Sequence, residues 1–553
     1  MSRPPRTVAE AVGAALCGLG VRTVFGVVGS GNFHVTNALV AGGARFVPAR
    51  HEGGAAVMAD AYARVSGEVG VLSVHQGPGL TNALTGITEA AKSRTPLLIL
   101  AGEAAASAVR SNFRVDQPAL ATAVGAVPER VHSAGTAAAD IARAWRTAAV
   151  ERRTVLLNLP LDVQAAPAPA QEIPRIARLR PPVAAPQDVT ALADALTAAR
   201  RPVFVAGRGA RLSGAGEELR ALAARTGALL ATSAVARGLF LGDPYDLDVS
   251  GGFATPVAAE LVAGADLIVG WGCGLTMWTL RHGTLIAPGA TLAQVDVDPA
   301  ALGAHRPVGL AVHGDAAGTA TAVEAELTRR GHHAPGYRTP GLAARLTRER
   351  RWRDVPYEDT STGERIDPRT LSVLLDDALP AERTVAVDSG NFMGYPAMYL
   401  AVPDADGLVF TQAFQSIGLG LATAIGAALA RPDRLTVAAL GDGGALMGVA
   451  ELETAVRLGL GLLIVVYDDE AYGAEVHHFG PAGHPLDTVT FPPADLAAIA
   501  RGFGCAAATV RTPADLEPVR DWLTGPRDRP LLVAAKVTAD RPSWWLEEAF
   551  RGH

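Results

Sequence analysis

Residues 435–475 read LTVAALGDGGALMGVAELETAVRLGLGLLIVVYDDEAYGAE. The apolar run 435–440 predicts a strand that stops at Gly441-Asp442-Gly443-Gly444, where glycines let the backbone turn sharply and approach a ligand. Apolar residues at helical spacing follow over 445–456, and 462–467 reads as a second buried strand. A right-handed βαβ unit puts the C-terminal ends of both strands on one edge of a parallel sheet, so Asp442 and Asp469 are expected to converge there. Two hard oxygen ligands at such an edge suit Mg²⁺ or Ca²⁺ held against a phosphate. A lone Gly-Asp-Gly is ordinarily a β-turn, and only this context says otherwise.

Outward from that unit, the 553-residue length predicts several domains. An apolar content of 49% fits a globular protein and excludes a disordered one. The net charge of −6 is small for this size and no basic run occurs, so no nucleic-acid partner is expected. Cys17, Cys273 and Cys505 are far apart and lack metal-ligand spacing, which points to reduced thiols and a cytoplasmic protein. The first twenty residues, with Glu10 inside their apolar pattern, read as an amphipathic helix and not as a signal peptide. No uncharged apolar run reaches the roughly 20 residues of a membrane span, so no membrane partner is expected.

Helices alternate with strands from the start. Strands are predicted at 23–28, 46–49, 69–74 and 95–101, with helices at 7–19, 33–40, 53–65 and 80–91. Such alternation predicts a doubly wound parallel sheet with ligands at the strands' C-terminal ends. Residues 160–187 form a Pro/Ala-rich linker. A second α/β unit follows, with strands at 202–206, 267–271 and 292–297. Its Gly207-Arg208-Gly209 is only a fragment of a dinucleotide loop. A polar, Arg-rich connector at 332–368 leads to the third unit, where a strand at 385–387 ends at Asp388-Ser389-Gly390-Asn391-Phe392 and a helix covers 421–430. The expected domains are 1–165, 188–330 and 365–545, three doubly wound α/β units.

The Gly-Asp-Gly turn, Asp469 placed 27 positions on, and Tyr472-Gly473 together resemble the cofactor fingerprint of thiamine diphosphate enzymes. RHEGGAAVMADAYAR from Arg50 and GPGLTNALTGITEAAKSRTPLLILAGE from Gly77 resemble the pyrimidine-binding domain of that family, most closely the acetolactate synthase group, large catalytic subunit type. The resemblance covers essentially the whole chain. It implies that Asp442, Asp469 and the carbonyl of Ala471 bind Mg²⁺, and that the three domains are pyrimidine-binding, central and diphosphate-binding. The usual Asn-Asn of the fingerprint is Asp468-Asp469 here, which should make the site more dependent on its cation. Glu52 matches the family's carboxylate on the aminopyrimidine, where it favours the imino tautomer whose nitrogen takes the thiazolium C2 proton. By itself, a Glu in a helix's first turn is ordinarily a dipole or capping residue. Ile417 matches the bulky apolar residue that props the cofactor into a bent shape, although an Ile in such a stretch is otherwise core.

By the same resemblance the cofactor contacts are Pro78, Asn82, Gly390, Asn391, Phe392, Ile417, Gly441, Asp442, Gly443, Gly444, Tyr472 and Gly473. Ser30, His34, His75, Gln76, His477 and His478 are expected to line the substrate pocket, with Gln117 beside the reacting carbon in the catalytic set with Glu52 and Ile417. The central domain holds FAD in acetolactate synthases. This chain departs from them at Gly272-Cys273-Gly274-Leu275-Thr276, where those enzymes carry an Arg and acidic residues, so FAD is doubtful. A Trp typical of those enzymes is His478 here, and Val28 replaces a Pro before Gly29.

The expected activity is a decarboxylating carboligase that takes a 2-oxo acid and a carbonyl acceptor, in a homodimer or homotetramer whose sites are shared between subunits. A simple 2-oxo acid decarboxylase is the alternative. An inactive cofactor-binding protein is disfavoured because Glu52, Asp442 and Ile417 are all present. A nicotinamide oxidoreductase lacks its complete Gly-x-Gly-x-x-Gly.

Overall fold

The computed structural model describes residues 7–546 apart from 170, 171, 173, 178 and 544. The start of the first predicted domain and part of the 160–187 linker therefore lie outside the described residues.

The described residues form three parallel six-stranded sheets flanked by helices. The first contains β1 (Thr23–Gly26), β2 (Arg45–Pro48), β3 (Gly70–Val74), β4 (Leu97–Glu103), β5 (Val127–Arg130) and β6 (Thr154–Pro160), in the order β2-β1-β3-β4-β6-β5. The second contains β7 (Pro202–Ala206), β8 (Leu229–Thr232), β9 (Asp246–Val249), β10 (Leu267–Trp271), β11 (Thr291–Asp296) and β12 (Leu310–His313), in the order β12-β11-β10-β7-β8-β9. The third contains β13 (Arg383–Val387), β14 (Leu408–Phe410), β15 (Leu435–Gly441), β16 (Leu463–Asp468), β17 (Ala506–Val510) and β18 (Leu531–Lys536), in the order β14-β13-β15-β16-β18-β17.

In each sheet the chain winds one way and then the other, so a crevice opens where the order reverses: β1/β3, β7/β10 and β13/β15. Ligands of open α/β sheets bind outside the strand ends at such points. The loops that emerge there are 27–32 with 75–79, 207–209 with 272–276, and 388–392 with 441–444.

The first and third sheets share one apolar core. Phe25, Met58, Leu72 and Ile99 belong to the same buried cluster as Ile425, Leu440, Ile464 and Val466. Helix Glu52–Ser66 of the first unit lies on helix Gly420–Ala430 of the third so closely that a Cβ on Gly426 would sit 2.3 Å from the Met58 carbonyl oxygen. Burying such side chains is worth roughly 1.5–3 kcal/mol each, so the two units stabilise one another. Among the described residues no helix is long and apolar enough to cross a membrane.

Several predicted boundaries move. The single helix expected over 445–456 is two, Asp442–Met447 and Glu451–Arg457, because Gly448 caps the first with its N–H on the Gly444 carbonyl. The connector 332–368 contains helix Pro340–Glu349, started by Thr339 and anchored by Leu346, its single buried residue among polar and charged neighbours. The linker is shorter than read, since Pro160 ends β6, Leu161–Ala165 is helical and Pro186 starts the next helix. The strand-like stretches β8, β9 and β12, each of four residues, were too short to stand out.

Candidate functional site

At the β13/β15 crevice, Gly441 ends β15 and Asp442 opens the next helix, while β16 delivers Asp469 one residue past its end. The two carboxyl groups face each other. Burial first, then the carboxylates of Asp469 and Asp468, push the Asp442 carboxyl far above the ordinary range; burial raises Asp469 as well. Two facing carboxyls, Asp442 buried and Asp469 half-buried, call for a cation or shared protons between them. The backbone is stripped of side chains just where a ligand would approach: a Cβ on Gly443 would meet the Tyr472 ring at 2.5 Å, and one on Gly473 would meet Asp469 Oδ2 at 2.3 Å. Asn391 lies against the same face of Gly473, its Nδ2 at 3.2 Å from that same Cβ position, and Ser543 Oγ donates to the Asn391 carbonyl at 2.7 Å. Hard oxygen ligands beside a glycine cradle suit a diphosphate with a divalent cation.

Ile417 is set by Asp388, which in the sequence only marks the end of a strand. Asp388, fully buried at the end of β13, accepts the N–H groups of Ser389 at 2.8 Å, Gly418 at 3.0 Å and Leu419 at 3.1 Å. Its carboxyl is pushed up to about 6 because burial outweighs these hydrogen bonds. The turn after Ile417 is thereby fastened to β13, and Ile417 lines the cavity described below.

On the first sheet, Glu52 opens its helix and accepts Asn82 Nδ2 at 3.0 Å; Asn82 lies on helix Pro78–Lys92, whose first turn holds Pro78 and Gly79. Glu451, also unremarked in the sequence, reaches over from the third unit to accept the N–H of Arg50 at 3.1 Å and of His51 at 3.0 Å. Ser30 Oγ and His75 Nε2 are 3.3 Å apart at the β1/β3 crevice. His75 also packs edge-on to Phe113, at 4.9 Å between ring centroids. Gln76 is buried behind them, and His34 is exposed beside Phe33. Gln117 is 1% exposed, and its amide bonds to the Gly77 N–H, the Gly102 carbonyl and Asn158. It therefore braces the Gly77 turn through its own amide.

A cavity of about 2110 Å³ runs from the third sheet's crevice to that of the central sheet. Asp442, Asp469, Ala471, Tyr472, Gly473, Gly390, Asn391, Phe392 and Ile417 line one end, and Arg208, Gly272 and Cys273 line the other. Glu52, Pro78, Asn82, Ser30, His34, His75, Gln76 and Gln117 are not part of its wall, nor are His477 and His478 on the neighbouring helix Gly473–Phe479. Burial lowers the His477 imidazole, and the His478 ring stands edge-on to Phe479. Within one chain, then, the sequence-selected residues form two separate groups, one at the first sheet's edge and one at the third's.

Three family models match along the chain. They are described as thiamine pyrophosphate enzyme N-terminal TPP binding domain over residues 6–122, central domain over 189–323 and C-terminal TPP binding domain over 388–535. A Pseudomonas aeruginosa protein named "Probable 2-ketoarginine decarboxylase AruI" is 33% identical over 533 residues, covering 94% of this chain and 92% of its own length. The acetolactate synthase isozyme 2 large subunit of Escherichia coli K12 is 30% identical, covering 83% and 82%. A sulfoacetaldehyde acetyltransferase of Alcaligenes xylosoxydans xylosoxydans is also 30% identical, covering 82% and 80%. With its three parallel sheets and these relatives, the chain belongs to the thiamine pyrophosphate enzyme family.

Proposed function

We propose that the protein is an acetolactate synthase-like carboligase, dependent on thiamine diphosphate and Mg²⁺, that decarboxylates a 2-oxo acid and joins the remaining carbon unit to a second carbonyl compound. The observation that carries this reading is the meeting of Asp442 and Asp469 in a glycine-lined crevice within a cavity that also contains Ile417. Among the described residues no three His, Cys, Asp or Glu side chains converge by themselves on a metal. The cation is therefore assigned to the two carboxylates, the Ala471 carbonyl and the diphosphate oxygens together. Gly390, Asn391, Phe392, Gly441, Gly443, Gly444, Tyr472 and Gly473 surround the diphosphate in this reading. Ile417, fastened through Asp388, supports the rings.

Thiamine diphosphate, when bound, supplies the carbon nucleophile for the ketone and the electron sink for loss of CO₂. Glu52 holds the proton at the pyrimidine nitrogen, with Asn82 orienting its carboxylate and Pro78 beside it. Because Glu52 lies outside the cavity that holds Asp442, the reading places Glu52 of one copy over the Asp442 crevice of a second, in a homodimer or homotetramer. Ser30, His34, His75, Gln76, His477 and His478 then face the substrate, and Gln117 steadies the Gly77 turn behind them. A cytoplasmic location belongs to the same proposal, in keeping with three free cysteines. FAD is left out of it.

The relative named as a 2-ketoarginine decarboxylase favours a second reading, decarboxylation that ends in an aldehyde. Incubating the purified protein with a panel of 2-oxo acids and carbonyl acceptors, with products read by mass spectrometry, separates the two. A 2-hydroxyketone supports the carboligase; aldehyde alone, across all acceptors, leaves the decarboxylase.

A further inference from the structure

The chain has two lysines, Lys92 and Lys536, and the second stands opposite Asp468 in the register of β16 and β18. Lys536 Nζ lies 2.6 Å from Asp468 Oδ2 and 3.0 Å from Glu470 Oε1. Arg365 holds the other oxygen of Glu470 at 2.6 Å and is itself fixed by a 3.0 Å hydrogen bond to the Val537 carbonyl. The Asp468 side chain is 3% exposed, so without Lys536 it would be a buried, unpaired carboxylate directly before Asp469. Glu470 separates Asp469 from Ala471, and its φ of +61° is left-handed, a conformation that side chains other than glycine keep only when their surroundings hold them.

We infer that Lys536 is a positioning residue for the cation–diphosphate site. It cancels the charge of Asp468 and, with Arg365, ties down Glu470 so that the Asp469 carboxylate and the Ala471 carbonyl are presented together. The inference rests on the reading of Asp442 and Asp469 given above. Those two carboxylates balance one divalent cation, and the diphosphate then adds negative charge. A further bare carboxylate one residue away would repel it in a poorly hydrated setting, where charges interact strongly. Where the family's fingerprint has a neutral Asn, this chain carries an Asp and supplies a lysine across the sheet to offset it.

Calorimetric titration of the cofactor-free parent, K536M, K536R and D468N/K536M with thiamine diphosphate in excess Mg²⁺ tests this, with inorganic diphosphate as a second probe. Removing an outer partner of a metal site typically costs 10–100-fold in affinity, and about that loss is expected for K536M. K536R should bind like the parent, and D468N/K536M should recover most of the loss. K536M that is folded and binds as the parent does, or D468N/K536M that is folded and as weak as the expected K536M loss, overturns the inference. If K536M fails to fold, the double variant and K536R still decide it. A parent that ignores thiamine diphosphate counts against the proposed cofactor instead, and the ranking of the variants with inorganic diphosphate then decides the role of Lys536.

Discussion

Glu451 accepts the backbone N–H of His51 at 3.0 Å, joining residues 400 positions apart immediately before Glu52. The second helix after the Gly-Asp-Gly turn, Glu451–Arg457, therefore fixes the helix that carries Glu52. Glu451→Ala leaves the N–H groups of Arg50 and His51 without their acceptor, and bonds to a charged group are worth about 1.5–3 kcal/mol each. A lower melting temperature and slower turnover are expected. Glu451→Gln, which keeps an acceptor oxygen, should lose less of both; equal losses would show that the hydrogen bonds are not what matters.

Gly426→Ala tests the packing of the first unit on the third. The added methyl would fall 2.3 Å from the Met58 carbonyl oxygen, so one of the two helices has to move. Overpacking of this kind costs about 1–3 kcal/mol. Thermal denaturation should show a clear loss, and an unchanged melting temperature would mean that the two helices are not held as close as described.

The paired carboxyls make stability depend on pH in a definite direction. Asp442 and Asp469 have folded values raised above the unfolded carboxylate range of about 4, so they favour the folded, cation-free protein in acid. That contribution is lost as pH rises above the ordinary carboxylate range and the coupled pair gives up its protons. Asp388 and Asp246, also raised by burial, add to the trend, so the comparison is with Asp442→Asn. Without cation, this variant should melt higher than the parent at pH 8 and draw level with it in acid. A gap that is constant across pH would contradict the assignment.

Cofactor and cation should stabilise the protein only together. A ligand at a hundred times its Kd adds about 2.7 kcal/mol, read as a rise in melting temperature. The rise is expected with thiamine diphosphate plus Mg²⁺ and absent with Asp442→Ala. An equal rise without Mg²⁺ would remove the cation from the site.

The sequence disclosed the parts of the site that are written locally. Gly441 to Gly444 and Asp469 are readable because a strand, a glycine turn and a second strand follow one another within a short span, and the βαβ rule then brings the acids together. Asp388, Glu451 and Lys536 were not readable, since each acts on a backbone or side chain supplied by a distant part of the chain. Asp388 looks like any strand-end acid until the Gly418 and Leu419 N–H groups are seen to point at it. Gln117 gave a polar signal in the sequence, but its amide contacts with Gly77, Gly102 and Asn158 come from distant parts of the chain and were not readable there. Helix Pro340–Glu349 escaped notice because its Arg and Glu residues make ion pairs, such as Arg345 with Glu260, while Leu346 alone is fully buried.

Glu52→Gln keeps the shape of the side chain and removes the acid-base role proposed for it. Positioned acid-base groups are typically worth about 10² to 10⁴ in rate, so turnover should fall at least about a hundredfold while thiamine diphosphate still binds. Unchanged turnover would take Glu52 out of the chemistry.

The central claim is that the Glu52 edge of one copy and the Asp442 crevice of another make one site, and subunit exchange tests it most directly. Glu52→Gln and Asp442→Ala proteins, each inactive alone, are mixed under conditions that exchange subunits, and turnover of a 2-oxo acid is measured. Activity should return, because mixed assemblies contain sites built from one intact Glu52 and one intact Asp442. Proven exchange with no recovery of activity would contradict a shared site.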